Sequence, residues 1–192
     1  MEKLYCIAME KEAIQIAEKL GLEKISNEIY RKENTSLLIT GIGKQRTAIS
    51  LTKYICENGK PDKIINIGYA GSTILEIGKW YCVSYSMNYE WEIPGEEKYD
   101  MLDYGFKKLD KVDKLEEKPC YSAECFVTDT DLEEECLFDM ELHSISILCD
   151  KYDIPLVSIK KVSDNLSFDG YYENLKDKNI FELTSGLDIL KD

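Results

Sequence analysis

KIINIGYAGS, residues 63–72, decides how the rest of the chain is read. Ile64, Ile65 and Ile67 give a short apolar run bounded upstream by Asn58-Gly59 and Pro61, and downstream by two glycines. That combination of length, β-branching and punctuation reads as a buried strand over 63–67, ending in a tight turn at 68–72. Upstream, GIGK (41–44) opens a helix that runs to about Glu57. Before it, 28–32 and 36–40 form a hairpin turning at Glu33-Asn34. A strand at 3–8 and a helix at 12–20, with Ala13, Ile16, Ala17 and Leu20 on one face, open the chain. Downstream, strands are expected at 80–86, 121–127, 137–140 and 155–162, a helix from Glu141 to about Tyr152, and a broken helix from Tyr171. The segment 87–119 reads as an irregular excursion. Strands alternating with helices imply an α/β fold around a central sheet, expected as one domain over 1–192.

The 192 residues carry 24 Lys and Arg against 37 Asp and Glu, a formal net charge of −13. So acidic a surface repels phosphate backbones and anionic lipid, so neither nucleic acid nor a membrane is an expected partner. No apolar run reaches the roughly 18 residues of a membrane span. Seven cysteines without a CxxC pair suit reduced, mostly buried thiols in the cytoplasm. One histidine, His143, leaves no zinc ligand set and no GxSxG serine triad, so no metal or other cofactor is expected. His143 lies two residues beyond Glu141 on the helix and is read as structural or surface.

In α/β sheets ligands gather at strand ends. Met9 and Glu12 follow the first strand, GIGK the hairpin, GYAGS the central strand, and Ser163-Asp164 a late one. The glycines at 41, 43, 68 and 71 permit positive φ and close backbone approach at strand-to-helix turns. Glu12, Glu141 and Asp164 are carboxylates at three such ends. Taken singly, each is an ordinary helix N-terminal acid or cap. Together, beside Met9, Phe126, Val127 and Met140, they could do acid/base work, one held protonated and another orienting water.

Six segments, AMEKEA (8–13), TGIGK (40–44), PDKIINIGYAGS (61–72), SAECFV (122–127), DMELHSI (139–145) and IPLVSIKKVSDN (154–165), resemble the nucleoside phosphorylase/nucleosidase superfamily. Their order and spacing are most similar to the 5′-methylthioadenosine/S-adenosylhomocysteine nucleosidases. The resemblance implies a three-layer α/β/α sandwich with a central mixed, partly barrel-like sheet, and a homodimer acting on a purine nucleoside. It implies hydrolysis of an adenine nucleoside's N-glycosidic bond without a cofactor. Asp164 matches the acid that protonates purine N7, Glu12 the group that deprotonates water, and Glu141 the ligand of ribose hydroxyls with Met140 beside the sugar. Phe126 and Val127 match the residues flanking the base, and Phe168 a substrate-capping aromatic.

Two substitutions depart from that pattern. Tyr69 stands where a small residue is usual and would project toward the water or ribose site; Lys160 stands where arginine is usual, four residues before the acid. Shortening within 95–120 and 127–138 leaves the 5′-substituent open. A phosphorylase is the alternative enzyme, but it needs cationic phosphate ligands. Hexameric phosphorylases have arginine at the position of Asn66, and Arg46 lies within a helix. A non-catalytic nucleoside-binding module on the same fold is the alternative of another class.

Overall fold

The computed structural model describes residues 1–91 and 106–191. The chain opens with β1 (Lys3–Ile7) and α1 (Glu10–Leu20), then β2 (Glu23–Lys24), β3 (Ile29–Lys32) and β4 (Thr35–Ile39). The β3–β4 hairpin turns at Glu33, in the left-handed region at φ 51°. α2 (Lys44–Asn58), β5 (Lys63–Gly71), β6 (Trp80–Asn88), β7 (Phe106–Lys108), β8 (Glu117–Ser122) and β9 (Leu137–Asp139) follow. α3 (Leu142–Tyr152), β10 (Leu156–Asp164), α4 (Phe168–Asn174) and α5 (Thr184–Ile189) complete the order. The expected excursion over 87–119 falls partly outside the described residues; within them it holds β7 and the start of β8.

β5 organises the sheet. β10 runs parallel to it from Leu156↔Ile64 to Asp164↔Gly71 and takes one whole edge. β1 and β9 must therefore share the other edge. β1 pairs with residues 63–66, and β9 meets β5 only at Gly71↔Phe138. Between them, residues 67–70 have no strand on that edge among those described. From β9 the ladder continues through β8 and β6 back to β10, closing a five-stranded barrel, while β1, β4, β3 and β2 extend the sheet beyond it. Strand directions are mixed.

Helices cover both faces. α2 and α3 bury Leu51, Tyr54, Leu142 and Ile145 with Leu4, Ile64 and Val162. On the other side α1 and α5 bury Ala13, Ile16 and Leu187 with Ile7, Ile67 and Ile159. These are the two outer layers of a three-layer sandwich.

Two local expectations are corrected. GYAGS is not a strand-to-helix turn: β5 continues to Gly71, and no helix follows before β6. Gly71 serves close approach instead. A Cβ on Gly71 would lie 2.7 Å from Leu166 Cδ2 and 2.9 Å from Asp164 Oδ1. The strand expected at 121–127 is β8, ending at Ser122, so Phe126 and Val127 lie on a loop. His143 proves structural, buried with its backbone N–H donating to Ser122 Oγ at 2.9 Å. All seven cysteines are unpaired; Cys56 and Cys125 are exposed and the other five buried.

Candidate active site

The unpaired stretch of β5 opens into a cavity of about 240 Å³. Ile67, Gly68, Tyr69 and Ala70 line it, with Met9 and Glu12 arriving from β1, and Met140 and Glu141 from β9. Ser163 and Asp164 come from the end of β10, and Phe168 and Tyr171 from α4. All three expected carboxylates thus face one space, although 12, 141 and 164 lie far apart in sequence. Phe126 lines it too; Val127 lines a smaller adjoining cavity that shares Phe126, Met140 and Asp164. Cys125 also borders that smaller space.

Each acid is held by its local turn. Glu12 sits in the first turn of α1, where its Oε2 accepts the Met9 N–H at 3.4 Å. Burial, with the Glu141 charge, raises its carboxyl to about 8, against the pull of Lys160 and the Met9 amide. Glu141 precedes α3, and its Oε1 accepts the Gly43 N–H at 2.9 Å, so it reaches back to the start of α2. Burial and Asp139 raise it to about 7, and Lys160 opposes them. Asp164 accepts the Leu166 N–H at 2.9 Å and the Ser163 hydroxyl at 2.6 Å. Burial nonetheless raises it, outweighing those bonds. Ser163 therefore acts through Asp164.

One cation lines the cavity among the described residues. Lys160, fully buried, donates to Asp139 Oδ2 at 2.7 Å. Burial alone would lower its ammonium, but Asp139, Cys120 and Glu141 outweigh that and leave it raised. Asp139 is fixed further by the Ser122 hydroxyl at 2.5 Å and the Leu142 N–H at 3.0 Å.

Phe126 stacks on Phe168 at 4.4 Å, and Tyr171 meets Phe126 edge-on at 5.9 Å. Flat aromatic faces beside buried acids suit a planar, protonatable ring. The Phe126 loop is tied down by Glu124, whose Oε2 accepts the Lys44 N–H at 2.8 Å. The Glu124 N–H donates to Glu90 at 2.8 Å, and Glu90 in turn pairs with Lys44. Sequence reasoning missed Glu124 and Tyr171. The available signals were an acid two residues before Phe126 and an aromatic one helical turn after Phe168.

The chain is similar in sequence and fold to known proteins. A 5′-methylthioadenosine/S-adenosylhomocysteine nucleosidase of Bacillus cereus is 29% identical over 177 residues, covering 71% of this chain and 73% of the relative. The fold matches the Neisseria meningitidis nucleosidase of that name, in complex with methylthio-immucillin-A, with TM-score 0.83 and 20% identity over 100% and 99% of the two chains. A futalosine hydrolase mutant of Helicobacter pylori superposes with TM-score 0.82 at 17% identity, covering 100% and 97%. The model of the phosphorylase superfamily matches residues 8–182, nearly the whole length, and the chain belongs to that superfamily.

Proposed function

We propose that this chain is a purine nucleosidase that hydrolyses the N-glycosidic bond of an adenine nucleoside of the methylthioadenosine, S-adenosylhomocysteine or 5′-deoxyadenosine type. The observation that carries this reading is the convergence of Glu12, Glu141 and Asp164 on one aromatic-walled cavity. The bond breaks through an oxocarbenium-like state, as in glycoside hydrolysis. The C1′–N9 electron pair leaves with the purine, and Asp164, whose protonated form burial favours, gives its proton to N7. Water oxygen bonds to C1′ and its proton passes to Glu12. Glu141 takes the ribose hydroxyls beside Met140, and the carboxylates ease the positive charge on the sugar. Phe126 stacks on the base, the Val127 backbone bonds its edge, and Phe168 caps it.

Water is favoured over phosphate by what occupies the expected anion contacts. Asn66 is already bonded, its amide to Cys6 O at 3.0 Å and its carbonyl to Ser158 Oγ at 2.9 Å. Lys160 is neutralised by Asp139, and the amides of Gly43 and Lys44 at the start of α2 are taken by Glu141 and Glu124. Release of adenine from methylthioadenosine, followed with and without phosphate, tests the reading. It should proceed without phosphate. Asp164→Asn and Glu12→Gln should each cut turnover by orders of magnitude while nucleoside binding survives. A strict phosphate requirement would favour the phosphorylase, and binding without turnover the non-catalytic module.

The homodimer and the cytoplasm complete the proposal, the first from the family resemblance and the second from the unpaired thiols. Among the described residues, no helix is long and apolar enough to cross a membrane.

A further inference from the structure

None of residues 167–182 is buried, although this stretch brings Phe168 and Tyr171 to the cavity. A segment without buried side chains gains little from the hydrophobic effect, so other interactions must fix its position. β10 supplies two polar anchors. At the end of α4 the Asn174 side-chain amide donates to Ser163 O at 2.7 Å. Further along, Lys161 Nζ donates to Asn179 O at 2.5 Å and to Glu182 O at 2.9 Å.

Lys161 is the more telling anchor. Side chains alternate along a strand, so it points away from its neighbour Lys160, which lines the cavity. Lys161 is only 4% exposed, and burying an ammonium is unfavourable unless its hydrogens are bonded. Burial lowers its pKa, with Glu182 and Asp177 opposing. Two carbonyls of a single turn offset that burial, and the Trp80 ring lies 5.7 Å away. What the turn delivers is Phe181. Its ring lies 4.5 Å from Tyr69 and 5.5 Å from Tyr171, and Tyr171 in turn meets Phe126 edge-on at 5.9 Å. Aromatic contacts therefore run unbroken from Phe181 through Tyr171 to the Phe126–Phe168 stack.

We propose that Lys161 is a positioning residue for nucleoside binding: it pins the 179–182 turn to β10 and so holds Phe181 behind Tyr171, keeping the aromatic wall in place before a nucleoside arrives. This rests on the nucleosidase reading above. Lys161 faces away from the cavity and acts only through Phe181 and Tyr171. Its loss therefore weakens binding while leaving the three acids and their chemistry intact. The wall is preorganised, so the nucleoside does not have to order it on binding.

Lys161→Met keeps the apolar stem and removes the ammonium. With methylthioadenosine as substrate, KM should rise about tenfold while kcat stays within about threefold. Phe181→Leu, which leaves the hydrogen bonds of the turn in place, should raise KM similarly. The double variant should raise it no more than the larger single change, because both act through one wall. KM within about twofold of the parent in Lys161→Met overturns the inference, and so does a fall in kcat as large as the rise in KM. KM effects that multiply in the double variant overturn it as well. Should Lys161→Met fail to fold, an unchanged KM in Phe181→Leu overturns it alone. Calorimetric binding separates this inference from the nucleosidase reading. A parent that binds methylthioadenosine but releases no adenine sinks hydrolysis only, and Kd should then show the same tenfold weakening; a parent that binds no adenine nucleoside sinks both.

Discussion

At Glu12, burial and the Glu141 charge leave a carboxyl that holds its proton to about pH 8. A base must first lose that proton, so kcat/KM should follow a bell with one limb near 8. Lys160 draws Glu12 down, so Lys160→Met should move that limb to higher pH. An unmoved limb would assign it to another group. The same shift has a stability consequence. The folded pKa lies above the usual 4.5, so this contribution is full below about pH 4.5 and is lost as pH climbs through 8. The loss is on the order of a few kcal/mol, and Glu12→Gln should flatten that slope in denaturant titrations at pH 5 and 8. The three acids were legible because each follows a strand, where α/β sheets collect ligands. Their raised affinities for protons were not, since these depend on burial and on neighbours distant in sequence. Tyr69 was legible as an anomaly of size, but the burial of its hydroxyl without a hydrogen-bond partner among the described residues was not.

Among the elements, the loop after β8 shows best how position is imposed from outside. Residues 123–127 carry the proposed base wall, and Glu124 ties them to the start of α2. Gly43, at φ 97°, is needed there: a Cβ would lie 2.8 Å from Glu124 Oε1. Glu124→Ala should free the loop and raise KM about tenfold with kcat changed less, and Glu124→Gln should recover much of it. Equal loss of kcat would show that the tether serves the reacting groups instead. The helices and most strands were readable from apolar period and glycine punctuation. β8 was misplaced for a specific reason. Pro119 lies inside it, and proline argues against a paired strand. The structure accommodates it by a register shift in the β6–β8 pairing between Val83 and Ser86, which no local pattern announces. β5 was read too short because its glycines look like a turn, whereas Gly71 lies within the strand and leaves room for Asp164 of β10.

For the molecule as a whole, the barrel closes around an ion pair. Lys160 on β10 and Asp139 on β9 meet across β5, their side chains almost wholly buried. Removing one partner strands the other charge, at a typical cost of about 3–5 kcal/mol. Lys160→Met should therefore lower unfolding stability by that order, and adding Asp139→Asn should restore part of it. Simple additivity of the two losses would show that the pair is not coupled. Barrel closure came from the family resemblance, because periodicity reports which residues are buried but not which strands meet. The split on β5 could not be foreseen at all: it follows from three strands competing for two edges.

The exposed thiol of Cys125 adjoins Phe126 at the edge of the smaller cavity, while Cys56, the other exposed thiol, lies on α2. Nature has thus left a labelling handle at the doorway and a remote reference on the same chain. The relative rates at which the two are alkylated give a readout of occupancy for any compound, turned over or not.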